Sequence, residues 1–178
     1  KKLTSDPTKK YEAKIQRQFR KIESCVTTTQ YRKIYPTGSN PGRFYGTAKV
    51  HKLKENDGVA DLPLRPIVSN IGSASYELAK FLAHFLAPLS VSEYTVKNTQ
   101  EFITFTKNVI VPDDYELVSF DVTSLFTNVP LKETIDIILK KIYVSKEIVT
   151  EIQKEDLKKL LISCTKEVHF SFNDEMYI

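Results

Sequence analysis

Residues 116–130, ELVSFDVTSLFTNVP, decide the reading of this 178-residue chain. The first seven, 116–122, are rich in Val, Phe and Leu and predict a short buried strand. Asp121 falls at the strand's end, where an unpaired carboxylate would be expensive to bury. Thr123 and Ser124 predict a turn before the aromatic Phe126, and Pro130 suits the first turn of a helix. A carboxylate at a strand's end, followed by a turn that presents backbone groups, is a pattern able to hold a divalent cation. A single aspartate also serves as an ordinary turn or capping residue, so the surrounding sequence has to decide.

Upstream of this stretch, Tyr11, Ile15, Phe19 and Ile22 recur at spacings of four, four and three, which predicts a helix from Lys9 to about Ser24. Its other face carries Lys14, Arg17, Gln18 and Lys21, either a nucleic-acid-facing stripe or a solvated helix face. PTGSNPG at 36–42 is a turn cluster without the GxxxxGK[ST] order of a phosphate loop. Residues 43–51 and 64–70 predict two strands joined by a polar loop, 52–61, and hence an antiparallel hairpin. Lys49 is placed on the first strand and Arg65 at the start of the second.

Helices are predicted at 73–89, from about 99 with Asn98 and Glu101 as a capping pair, after Pro130 to about 143, and at roughly 153–165. In the first of these, Ser73 or Ser75 caps and Pro88 ends the helix. VHFSF (168–172) and MYI (176–178) flank the turn Asn173–Glu175 and predict a final β-hairpin. The fold class expected is α/β, α+β in detail.

Three stretches occur in a specific order: FYGTAKVHK (44–52), PLRPIVSNIGSASYELAKFLAHFLAPL (63–89) and SLFTNVP (124–130). Together they resemble the reverse-transcriptase domain of Penelope-like retroelements, relatives of telomerase reverse transcriptase, over most of residues 43–178. The resemblance implies the fingers and an incomplete palm of a polymerase right-hand fold. It divides the chain into a tail or linker at 1–8, fingers with a basic helix at 9–112, and the beginning of the palm at 113–178.

It also implies roles. Asp121 matches the first metal-binding aspartate, with the carbonyl of Val122 as a further ligand for Mg2+ or Mn2+. Phe126 matches the aromatic under the incoming sugar, with Ser124 and Leu125 beside the dNTP; plain core packing is the rival reading of Phe126. Lys49 and Arg65 match the basic residues that grip the triphosphate, and Arg65 can bind phosphate oxygens through two parallel N–H groups. The expected template contacts are Lys14, Arg17, Lys21, Arg43, Lys52, Pro63, Pro66, Ile67 and Ser69. RNA template, DNA primer and dNTP are the implied partners, and an intracellular, nuclear location follows from the family.

Composition agrees with such partners. Residues 1–54 hold 14 Lys and Arg against 3 Asp and Glu, a net +11, whereas the remainder holds 12 against 19, a net −7. A basic front end displaces condensed counterions from nucleic acid. The longest apolar run contains Lys80 and His84 and is too short to span a bilayer. Cys25 and Cys164 lack metal-ligand spacing and read as reduced thiols. Asp113-Asp114 precedes the strand and reads as a turn.

The sequence departs from the family at its end. It stops in mid-strand, before the aromatic-x-Asp-Asp strand and the Gln and Gly motif that would complete a polymerase site. These 178 residues are therefore expected to bind metal weakly and not to polymerise, and the final hairpin is expected to leave a bare edge prone to self-association. Two rivals remain: a non-enzymatic nucleic-acid-binding domain derived from such an element, and a structural helical module with no nucleic-acid partner.

Overall fold

The computed structural model describes residues 1–52, 58, 62–116 and 118–178, with Phe126 described by its backbone alone. Its architecture is mixed α/β. The chain forms two compact units, Lys1–Phe85 with Val149–Ile178, and Leu86–Ile148.

In the first unit, α1 (Thr8–Arg20) buries Tyr11, Ile15 and Phe19, with Ile22 just beyond its end. The i, i+4 spacing of these residues puts them on one face, as the sequence predicts. Pro7 precedes the helix, while the Asp6 carboxylate accepts from Thr8 N at 2.8 Å and from its hydroxyl. A reciprocal capping box between Thr27 and Gln30 starts α2 (Thr28–Ile34), and Tyr31 stacks on Phe19 at 5.1 Å.

The helix α7 (Lys154–Thr165) buries Leu157, Leu160 and Leu161 and packs on α1. Tyr11 donates its hydroxyl proton to the Ser163 carbonyl across that contact. Burial pushes the Tyr11 phenol up to about 12, and the neighbouring Cys164 thiol likewise to about 12, so that thiol is inert at neutral pH. In α3 (Tyr76–Leu86), Leu78 and Leu82 point into the core. This helix is shorter than the 73–89 expected from sequence, because a 3-10 turn containing Pro88 follows it at Ala87–Ser90.

A four-stranded mixed sheet runs in the order β2-β1-β3-β4. Strands β1 (Gly42–Ala48) and β2 (Leu64–Ser69) form the expected antiparallel hairpin, in the register Arg43↔Ser69, Tyr45↔Ile67 and Thr47↔Arg65. Its connecting loop, predicted at 52–61, lies largely outside the described residues. The final hairpin, β3 (Phe170–Phe172) and β4 (Glu175–Tyr177), turns through Asn173 and Asp174, both with positive φ, the geometry of a tight two-residue turn.

The expected bare edge does not occur at this hairpin. Strand β3 pairs parallel with β1 through Gly42↔Phe170 and Arg43↔Ser171. The outer edge of β4 is met by the chain's first residues: Leu3 N donates to Met176 O at 2.7 Å, Ile178 N donates to Lys1 O at 2.9 Å, and Lys2 pairs with Glu175. Residues 1–3 thus act as a short edge element instead of a tail. A side chain at Gly42 would be crowded: a Cβ there would lie 2.7 Å from Asn70 Oδ1, which would have to move, and 3.1 Å from the backbone oxygens of Ser69 and His169. The pairing also places residues 149–178 with the first unit, so the compact units do not follow the division at 112/113 drawn from the sequence.

His169, just before β3, is 5% exposed. Its Nε2 lies 3.1 Å from Thr8 Oγ1, the Tyr11 ring packs edge-on at 5.1 Å, the Asp6 carboxylate is nearby, and the Glu167 backbone is a hydrogen-bond partner of the ring. Lys10, Lys14 and Arg17 line a cavity together with His169. Burial holds the His169 pKa below the usual value, outweighing Asp6, so the folded state binds fewer protons than the unfolded chain. Its contribution to stability is full above about pH 6.5 and declines as pH falls through that value toward the folded pKa. Thermal melts from pH 7.5 to 5.5 should therefore show a falling Tm, and His169→Gln should flatten the profile. The carboxylates held low by partners, Asp6, Glu12 and Glu175, act only in a more acid window. A flat wild-type profile from 7.5 to 5.5 would contradict this account.

In the second unit, α4 (Thr99–Thr106) begins at Asn98, whose side chain accepts from Glu101 N at 2.9 Å. Its large apolar residues are exposed, with Phe102 at 48% and Phe105 at 72%. By contrast α6 (Leu131–Tyr143) buries Ile135, Leu139 and Ile142, as its periodicity predicts. No helix among the described residues is long and apolar enough to cross a membrane.

Candidate functional site

The buried strand expected at 116–122 is not present among the described residues. Residues 118–122 have no ladder partner, and Val118, Phe120 and Val122 are exposed at 64%, 93% and 59%. A strand exists only through hydrogen bonds to a neighbour, and the four strands of the sheet pair with one another instead. Leu117 lies outside the described residues.

The turn that follows is well formed. Ser124 adopts the left-handed conformation at φ 51° and opens α5 (Leu125–Asn128). Thr127 donates its hydroxyl to Ser124 O at 2.9 Å, and Asn128 Nδ2 donates to Thr123 O at 2.9 Å. A non-glycine residue at positive φ carries a conformational cost that such local bonds offset, and turns of this kind are concentrated at functional sites. Asp121, Val122, Ser124 and Leu125 are all exposed beside it. The Phe126 side chain expected beneath a sugar lies outside the described residues.

Asp121 and the Val122 carbonyl are oxygen donors of the kind a hard divalent cation takes. One carboxylate does not close a two-ion clamp, and no group of three or more His, Cys, Asp or Glu able to hold an ion occurs among the described residues.

In the first unit the hairpin gathers most of the remaining residues singled out from sequence. Arg65 is exposed in β2, and its register partner Thr47 lies two residues before Lys49. Lys49 itself is not on β1, which ends at Ala48; it leads into a 3-10 turn, Val50–Lys52, with its amide donating to Pro63 O at 2.9 Å. Lys49 and Arg65 are therefore about 7 Å apart along the ladder, within reach of one phosphate chain. Opposed residues share a face, so Arg43, Ser69, Ile67 and Arg65 lie together, while Pro66, opposite Gly46, belongs to the other face. That second face carries an aromatic cluster, Phe44 with Phe170 and Phe172 at 5.6 and 5.2 Å. Pro66, lacking an amide proton, suits the edge position of β2.

The basic stripe on α1 is only partly available. Lys14 is ion-paired with Glu167 and Lys21 lies 3.8 Å from Asp156, so these cations face carboxylates of the α7 segment. Arg17 is exposed, its Nε donating to Ala13 O at 3.3 Å. Lys52 is exposed in the turn after β1.

Sequence reasoning passed over a second basic feature, the Arg32-Lys33 pair that ends α2 immediately before the PTGSNPG turn. The adjacency of two cations, a tyrosine and a turn was the available signal. Comparison with protein-family models, with curated proteins and with solved structures found no match.

Proposed function

We propose that this chain is the fingers and the first part of the palm of a retroelement reverse transcriptase of the Penelope-like type, which extends a DNA primer on an RNA template from dNTPs. The observation that supports the reading is the β1–β2 hairpin, whose register puts Arg65 opposite Thr47, two residues before Lys49. An exposed guanidinium next to an ammonium suits a triphosphate, since phosphate oxygens accept two parallel N–H bonds from arginine. Arg43, Ile67 and Ser69, on the Arg65 face, would follow the template strand.

Asp121 would be the first carboxylate of the metal site. Magnesium, when bound, would lower the barrier to attack by the primer's 3′-hydroxyl. The exposed turn at 123–128 would present Ser124 and Leu125 to the nucleotide. A nuclear location follows if the protein acts on chromosomal primers.

Primer extension by the polymerase encoded in the reading frame that contains this sequence tests the proposal. Arg65→Ala should lower kcat/KM for dNTP by about 10- to 100-fold, the worth of a charge-assisted phosphate contact. Arg65→Lys should recover only part of it. An unchanged dNTP dependence in Arg65→Ala would remove the hairpin from the nucleotide site. The second reading, a binding domain without catalysis, is supported by the basic front end, a net +11 over residues 1–54. It predicts no extension at all, with salt-sensitive RNA binding retained.

A further inference from the structure

We propose that a cavity of about 440 Å³ between the end of α2, the 36–40 turn and the start of α3 binds one nucleotide of a single-stranded RNA. Its volume lies in the range of small-ligand sites. Arg32, Lys33 and Tyr35 line it, and Thr37, Ser39, Ser73 and Tyr76 are among the other lining residues. Two cations, two aromatic rings and the hydroxyls of Thr37, Ser39 and Ser73 form a combination suited to a phosphate joined to a base and sugar.

The cavity is pre-formed. Asn40 N donates to Gly72 O at 3.0 Å, which ties the 36–40 turn to the loop before α3. Gly38 and Gly72 take positive φ at the two bends, and Ser39 N donates to Glu12 at 2.6 Å, fixing the turn to α1. Arg20 donates to Tyr35 Oη at 2.8 Å and lies 5.8 Å from its ring centroid, which sets the orientation of that ring. The charge balance favours an anion. Among the described residues neither Arg32 nor Lys33 pairs with a carboxylate, and the carboxylate lining the cavity, Glu77, lies 3.4 Å from Lys80.

Position supports a strand over an isolated nucleotide. From Arg65 to Ser69, β2 covers about 13 Å, and the cavity's loop begins at Ile71. At the rise of a stacked strand that is roughly four nucleotides, so one short RNA can reach from the hairpin to the cavity. The inference deepens the polymerase reading by adding an RNA anchor, but its ligand class rests on the cavity's own lining.

The test is fluorescence anisotropy of the full 178-residue chain with a labelled decauridylate, over a salt series. The Arg32→Ala/Lys33→Ala double variant should raise Kd at least tenfold. It should also reduce the slope of log affinity against log salt by about 0.7, the contribution of the nucleotide's one phosphate. Tyr76→Leu, which keeps an apolar side chain but removes the aromatic face, should raise Kd about fivefold or more with the slope unchanged. Lys154→Ala/Lys159→Ala on α7 removes the same charge from an exposed face of the same unit and should change Kd less than twofold.

If the two double variants lose affinity equally, the effect is net charge and the cavity assignment is overturned. A Tyr76→Leu variant with wild-type Kd overturns it as well. Competition by uridine monophosphate or inorganic phosphate at micromolar concentration would replace the strand with a free ligand. None of these outcomes touches the polymerase reading, which is judged by Arg65 and Asp121 in primer extension.

Discussion

Under the proposed function, Asp121→Asn in the protein whose reading frame contains this sequence is expected to reduce primer extension by at least about 1000-fold, about 4 kcal/mol of transition-state stabilisation. The substitution keeps the side chain's size and removes its charge. Asp121 is exposed beside the turn that Ser124 opens, so the change leaves no buried group unpaired and the fold should tolerate it. Under the proposed function the loss falls on kcat, because the carboxylate acts where charge moves between the attacking and leaving oxygens. Template affinity should change little, since the cations singled out for the template lie on the hairpin and on α1. Extension at the wild-type rate would exclude Asp121 from any metal site. Absence of extension in the wild type, with RNA binding intact, would leave the binding-domain reading.

Phe19→Ala should destabilise the first unit by about 3–5 kcal/mol, the largest stability effect expected of a single side chain here. Phe19 is fully buried in the middle of the Tyr11, Ile15, Ile22 face and stacks on Tyr31 of α2. Truncation removes the ring's burial and leaves a void that α1 and α2 can only partly close. At about 2–4 °C per kcal/mol for a chain of this size, Tm should fall by about 6–20 °C. Phe120→Ala supplies the contrast: the same residue type, 93% exposed, should change stability by no more than about 0.5 kcal/mol. Denaturant melts of the two variants decide the matter. Equal losses would mean that residues 118–122 are packed after all and that the central stretch is a buried strand.

Much of the fold was legible because it is local. The 3.6-residue periodicity of Tyr11, Ile15 and Phe19, and of Ile135, Leu139 and Ile142, identifies helices that bury those residues. The turn read at Asn173–Glu175 is present, shortened to Asn173-Asp174, both at positive φ, with Glu175 in β4. The antiparallel pairing of β1 with β2 follows from two strand-forming runs close in sequence. Of the candidate site, the sequence supplied the identities of Arg65, Lys49 and Asp121 and, through the family resemblance, their proposed roles.

Tertiary structure decided what depends on distant partners. Residues 116–122 have strand composition, yet a strand needs a ladder neighbour, and β3 pairs with β1 across more than a hundred residues while 118–122 stay exposed. No local pattern specifies that parallel pairing, nor the return of Lys1–Leu3 to the edge of β4. The cations of α1 look equivalent along the helix, but α7 supplies Asp156 and the segment after it Glu167, which engage Lys21 and Lys14 and leave Arg17 exposed. Composition and short-range spacing, fixed by the chain itself, determined the helices, the hairpins and the basic front. Strand order, edge protection and the availability of each charge were set by long-range contacts, because hydrogen-bond ladders and ion pairs are properties of two segments together.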